Sequence, residues 1–263
     1  MFELCNTDSG GNIIEKSLLS ICFVINIIIC FGIPIGYLIY SFINNKENVK
    51  FYFFGMLAFI VSQVFLRIPL MKNVLPKMDW YIEITTFYPL VYSMFLGLTA
   101  GIFEEIARFL GFKLAIRKQA KWSNGITFGI GHGGIEAIMF TGIVNIRNLK
   151  MIISEETIRS TFLKVNSMHI LLAGMERISA IIIHVGLSLL VLYGIRKRKK
   201  IYLGLAILIH GTIDSFIGIF TTLGFDIYFI EVWCVVFAII LGIFIIKSKK
   251  MFGGYEIENE KSI

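Results

Sequence analysis

Residues 102–109 read IFEEIARF and place Glu104, Glu105 and Arg108 inside an otherwise apolar run. On a helix Glu104 and Arg108 are i,i+4, and Glu105 and Arg108 are i,i+3. Either carboxylate can therefore pair with the guanidinium. The other is left with less compensation, and such a group can accept and return a proton. Further along, FGIGHGGIEA spaces His132 and Glu136 by one helical turn, and HGTIDS does the same for His210 and Asp214. Glu176 and Arg177 are adjacent, and Arg177 shares a helix face with His184 seven residues on. The glycines around His132 remove bulk, which allows close helix packing or the approach of a substrate backbone.

A carboxylate and an imidazole at one depth can activate water for attack on a carbonyl carbon. A second histidine with a polar neighbour can hold the oxyanion. Peptide hydrolysis within a membrane would suit this set, with water admitted from the cytoplasmic side. Other hydrolase designs fit less well. There is no HExxH helix for zinc, and no GxSxG elbow near Ser188 or Ser215. Asp214 has no second aspartate inside a span to form an aspartyl pair. Histidines from separate helices could still build a zinc site, but the expectation is no metal and no cofactor. A plain ion pair would account for one glutamate beside Arg108 and leaves the second surplus. Glu136, Glu176 and Arg177 also suit a structural network, and His169 reads as peripheral.

These groups must be positioned by unusual elements. The chain has 263 residues, 56% hydrophobic and only 16% charged, with a mean hydropathy of +0.78. Soluble domains carry about 25% charged residues. The apolar residues also come in runs near the ~20 needed to cross a bilayer. The pattern predicts an all-α, polytopic membrane protein with seven spans near 17–43, 51–70, 85–110, 124–145, 166–193, 201–219 and 227–246. They form a single transmembrane domain over 1–250, followed by a short cytoplasmic tail, 251–263. A charge at mid-membrane costs at least about 2.5–3.5 kcal/mol, so the ionisable set should face a shared interior. At 1.5 Å per residue, Glu105, His132, His184 and His210 fall about 9–14 Å inside the cytoplasmic boundary.

The net charge of +7 sits between apolar runs, which points to anionic lipid and topology and not to nucleic acid. Segments 44–50, 111–123, 194–200 and 247–263 hold 15 Lys or Arg, and the opposite set holds eight. Positive-inside bias then places the N-terminus outside and the C-terminus in the cytoplasm of a multi-pass cell-membrane protein. The start, MFELCNTDSGGNIIEK, lacks the basic end of a signal peptide. Three of the four cysteines, Cys22, Cys30 and Cys234, lie in apolar runs and read as buried thiols; Cys5 does not.

At these residues the sequence resembles the YhfC family of glutamic-type intramembrane proteases. That family is a relative of the CAAX-protease-like superfamily, which includes prenyl-protein proteases and bacterial immunity or processing proteins. EEIAR, FGIGH (with Phe128 and His132) and HGTID follow the superfamily order over about residues 17–246. GHGGIEA and the ER before HV look especially like the YhfC type. The resemblance implies that Glu104 or Glu105 works with His132 on water, with Glu104 favoured. It implies that a later histidine and its polar partner serve the oxyanion. His210 with Asp214 fits that part better than His184 with Ser188, and His184 becomes a cavity-lining partner. Arg108, Glu136, Glu176 and Arg177 complete the support. The implied partners are membrane lipid and a peptide or membrane-protein substrate. A proton- or ion-coupled transporter, or a catalytically silent scaffold or immunity protein, would place similar groups inside its spans.

Overall fold

The structure, a computed structural model, describes residues 9–116, 120–154 and 166–253. Arg117, Lys118, Glu155, Glu156, Arg159, Lys164, Cys5 and the tail from 254 lie outside those residues. All regular structure among the described residues is helical. Seven helices among the described residues are long and apolar enough to cross a membrane: Ser17–Asn44, Lys46–Lys77, Pro89–Ala115, Trp122–Ser154, Ser167–Lys197, Ile201–Thr222 and Ile227–Gly253. They are called spans one to seven. The chain is thus an all-α polytopic membrane protein, and the helices mostly run longer than the apolar cores that announce them.

The boundaries have local causes. Span three starts at Pro89, later than the hydropathy of 85–88 suggests. Proline disfavours helix in the residue before it and suits the first helical position. Tyr88 accordingly leaves the helical region, and residues Asp79–Phe87 form a separate short helix. The Asn166 side chain caps span five by accepting from the Met168 N–H at 2.9 Å. Asp226 does the same for Tyr228 before span seven, also at 2.9 Å.

Span five is the central pillar. In its apolar window 72% of residues are buried, against 22–50% in the other six. Spans one, four and seven pack around it, span two packs on span four, and span three on span six. Below the histidines, Phe112, Phe128, Leu187, Leu189 and Leu192 form a closed apolar core. Phe112 and Phe128 stack with centroids 4.1 Å apart.

Two spans are locally widened. Ile60–Arg67 and Leu70–Val74 in span two, and Ala137–Gly142 in span four, are π-helical. Such turns cluster at functional sites. Here one carries Gln63 and Arg67, and another begins directly after Glu136. Arg67 lies well inside span two, because that helix runs on to Lys77, beyond the expected end at 70.

Candidate active site

Adjacent residues on a helix point about 100° apart, and this separates the two glutamates. Glu105 faces span six and its own helix. Its Oε1 meets His210 Nδ1 at 2.8 Å and its Oε2 meets Arg108 Nε at 3.0 Å. Glu104 faces spans two and four. Its Oε1 accepts from Gln63 Nε2 at 2.6 Å and its Oε2 lies 2.9 Å from His132 Nε2. Glu105 therefore takes the guanidinium, and Glu104 is held by an amide and an imidazole.

Span packing makes these distances achievable. A Cβ on Gly131 would strike the backbone carbonyl oxygen of Tyr52 in span two. A Cβ on Gly101 would lie 2.7 Å from the Ile207 carbonyl oxygen in span six. The glycines beside His132 thus serve helix approach: Gly133 sits against His184 and Ile181 of span five. Phe59 meets the His132 ring edge-on at 5.4 Å.

Hydrogen-bond chemistry fixes several orientations, because arginine only donates. Arg67 Nη1 donates to Gln63 Oε1 at 3.1 Å, so the Gln63 amide nitrogen must face Glu104. Arg108 Nη2 donates to His184 Nδ1 at 2.9 Å. His184 then carries its proton on Nε2 and donates it to Glu136 Oε2 at 2.6 Å. Arg108 Nη1 also donates to the His184 carbonyl at 2.7 Å and to Ser188 Oγ. Glu136 Oε1 accepts from Arg177 Nη1 at 2.9 Å, and Arg177 also holds Glu176. His210 Nε2 stands 3.8 Å from Glu104 Oε2 and 3.5 Å from Asp214 Oδ2.

The ten polar residues singled out from the sequence lie in one connected network spanning four helices. His169 stands apart, exposed near Tyr228. Gln63 and Arg67, neighbours of Glu104 in the fold, did not stand out in the sequence. Their i,i+4 spacing inside IVSQVFLR was the available signal. Glu105, His132, His184 and His210 lie deeper than the short apolar cores implied, roughly 14–20 Å from the helix ends at Ala115, Trp122, Lys197 and Ile201.

A cavity of about 100 Å³ reaches the network. Its walls include Glu104, His184, His210 and Cys234, and its outer part includes Glu176 and Asp214. The side chains of Glu176 and Asp214 are 30% and 36% exposed and mark its mouth. The expected opening toward the basic loops is not what forms. The lining extends toward the start of span five, the end of span six and the start of span seven. On the basic-loop side the apolar core beneath the histidines closes the bundle.

The donor set also bears on a metal. Ligand atoms of Glu104, His184 and His210 all lie within 4.8 Å of one another. One carboxylate with two imidazoles is a composition known in zinc hydrolases. The Glu105 contact on His210 Nδ1 is the kind of outer support that orients a ligating imidazole through its other nitrogen. His184 fits once it surrenders the Nε2 proton that it now gives to Glu136, and metal binding does release ligand protons.

Residues 29–236 match the family model described as YhfC intramembrane metalloprotease. Among curated proteins, the chain is similar to "Uncharacterized membrane protein YhfC" of Bacillus subtilis (strain 168). The two are 32% identical over 200 residues, which covers 69% of this chain and 77% of the relative. No solved structure matches.

Proposed function

The chain belongs to the YhfC family, and from that premise we propose that it is an intramembrane peptidase in which Glu104 activates water. Glu104 Oε2 takes one proton from a water whose oxygen bonds to the scissile carbonyl carbon. The carbonyl π electrons move onto oxygen; His210 acts as an imidazolium, its Nδ1–H donated to Glu105 and its Nε2–H facing that charge. Glu104 then returns the proton to the leaving amide nitrogen as the C–N bond breaks. His132 donates to Glu104 and keeps its Oε2 in place. Arg108, through Glu105 and His184, holds both imidazoles at the correct angle. Substrates are peptide segments of membrane proteins. A volume near 100 Å³ holds about three waters at ~30 Å³ each, so spans five, six and seven must part to admit a peptide. The basic loops are placed in the cytoplasm, with the N-terminus outside. The cavity mouth then faces away from the cytoplasm.

The observation that carries this reading is the unequal partnering of the two glutamates. Glu105 is neutralised by Arg108, whereas Glu104 is oriented by Gln63 and His132 with its Oε2 directed at His210.

One observation favours a second reading, the convergence of Glu104, His184 and His210. Those residues would hold a divalent ion, which when bound supplies Lewis-acid polarisation and an acidified water. One experiment separates the two. Purified chain is assayed on membrane-embedded peptides beside Glu104→Gln, before and after chelation, with metal content measured. Cleavage should fall about 10²–10⁴-fold in Glu104→Gln and persist in chelated wild type. Equal cleavage by both proteins removes Glu104 from the chemistry. Loss on chelation, with metal retained by wild type and absent from His210→Ala, selects the metal centre.

A further inference from the structure

A second, larger cavity opens at the opposite end of the bundle from the acidic mouth. It measures about 340 Å³ and lies between the ends of spans three and five and the start of span six. Its rim carries four cations, Lys113, Arg198, Lys199 and Lys200, all exposed. No carboxylate lines it among the described residues. Its inner wall is apolar, built from Phe109, Val191 and Leu203. The lining is therefore divided: cations at the helix ends, hydrocarbon along the spans.

The backbone holds this charge in place. Span five ends at Arg198 with φ 56°, the left-handed region that glycine occupies most easily. The turn closes through the Lys199 N–H donating to the Gly194 carbonyl at 2.9 Å. A glycine would make this turn with less strain, yet the position carries a cation at the cavity rim. Lys200 is the N-cap residue of span six, whose first turn is the positive end of a helix dipole. Lys113 Nζ rests 5.4 Å from the Phe109 ring centroid, which stations it on the cavity wall.

We propose that this cavity binds an anionic phospholipid, with its phosphate among Lys113, Lys199 and Lys200 and its glycerol and first acyl carbons along Phe109 and Leu203. Basic pockets between membrane helices recognise such head groups. Free phosphate would engage the rim and leave the apolar wall unused, so the divided lining favours the lipid. The site is independent of the hydrolytic reading.

The test is native mass spectrometry of the full chain in detergent, titrated with phosphatidylglycerol, with phosphatidylcholine of the same acyl chains, and with inorganic phosphate as competitor. The chain should bind phosphatidylglycerol about tenfold or more tightly than phosphatidylcholine. Lys113→Gln/Lys199→Gln/Lys200→Gln should lose that preference, and the corresponding triple arginine variant should keep it. Lys46→Gln/Lys50→Gln/Lys249→Gln removes equal charge elsewhere on the same face and should also keep it. If the triple glutamine variant does not purify, single variants at Lys113 and Lys200 serve, each expected to weaken binding about fivefold. No preference in wild type overturns the proposal. Equal loss in the two glutamine triples replaces it with diffuse surface charge. Displacement of phosphatidylglycerol by millimolar phosphate reassigns the cavity to a soluble anion.

Discussion

At the scale of single residues, two neighbouring glutamates experience different surroundings because a helix turns about 100° between them. Glu105 is a structural counter-charge for Arg108 and a partner for His210. Removing one member of a buried pair leaves an uncompensated charge and typically costs about 3–5 kcal/mol. Glu105→Ala should therefore lower stability by that order, seen as a clear fall in the thermal midpoint of detergent-solubilised protein. Glu104→Gln should leave the midpoint nearly unchanged. Its amide oxygen can still accept from Gln63, and its amide N–H can donate to His132 once that ring takes the other tautomer. A similar fall in both variants would mean that Glu104 is also structural and would weaken its assignment as the base. The ionisable residues were legible in the sequence because charge inside an apolar run is expensive and hence conspicuous. Gln63 was not, since an uncharged amide stands out far less. Ser188 stood out in the sequence only as a possible nucleophile and as a polar neighbour of His184. Its contact with Arg108 depends on how span five meets span three, and no spacing within either helix reveals that.

At the scale of elements, apolar run length located all seven helices. It left out what governs their ends and their mutual approach. Pro89 sets the start of span three by a rule that the residue itself announces. The π-helical turns have no comparable signal. One contains Gln63, and another begins directly after Glu136. The GHGG string suggested either tight packing or substrate access, and the geometry selects packing. At Gly131 an added methyl meets Tyr52 backbone, which cannot move aside like a flexible side chain. Gly131→Ala should thus cost about 1–3 kcal/mol and displace His132 from Glu104, so peptide cleavage and thermal midpoint fall together. Gly204 in span six has open space, with nothing within 4 Å of where a methyl would stand. Gly204→Ala should be neutral or stabilising by about 0.4–1 kcal/mol. Equal behaviour of the two variants in thermal denaturation would show that span four does not depend on the close approach at Gly131.

At the scale of the whole molecule, the bundle is polarised. One end carries the basic cavity and the cationic turns, and the other carries the acidic mouth at Glu176 and Asp214. Which helices neighbour one another could not be read from seven similar apolar runs, and neither could the direction in which the cavity opens. The ionisable layer lies nearer the basic loops along the chain, and for that reason water entry was expected there. Depth along a helix, however, does not decide which end is plugged. Leu187, Leu189, Phe112 and Phe128 fill the basic side, so access runs the longer way. This yields a prediction about the molecule as a whole, tested in a cysteine-free background with a membrane-impermeant thiol reagent. Lys77→Cys and Asp214→Cys should react from the outer face of intact cells, and Lys199→Cys only after permeabilisation. The first and third positions report orientation, and the second reports where the cavity opens. Reaction of Asp214→Cys from the same face as Lys199→Cys would restore a cytoplasmic entrance and require a path through the apolar core. Reaction of Lys77→Cys and Lys199→Cys from one face would instead break the count of membrane crossings between them, and with it the opposed polarity of the two cavities.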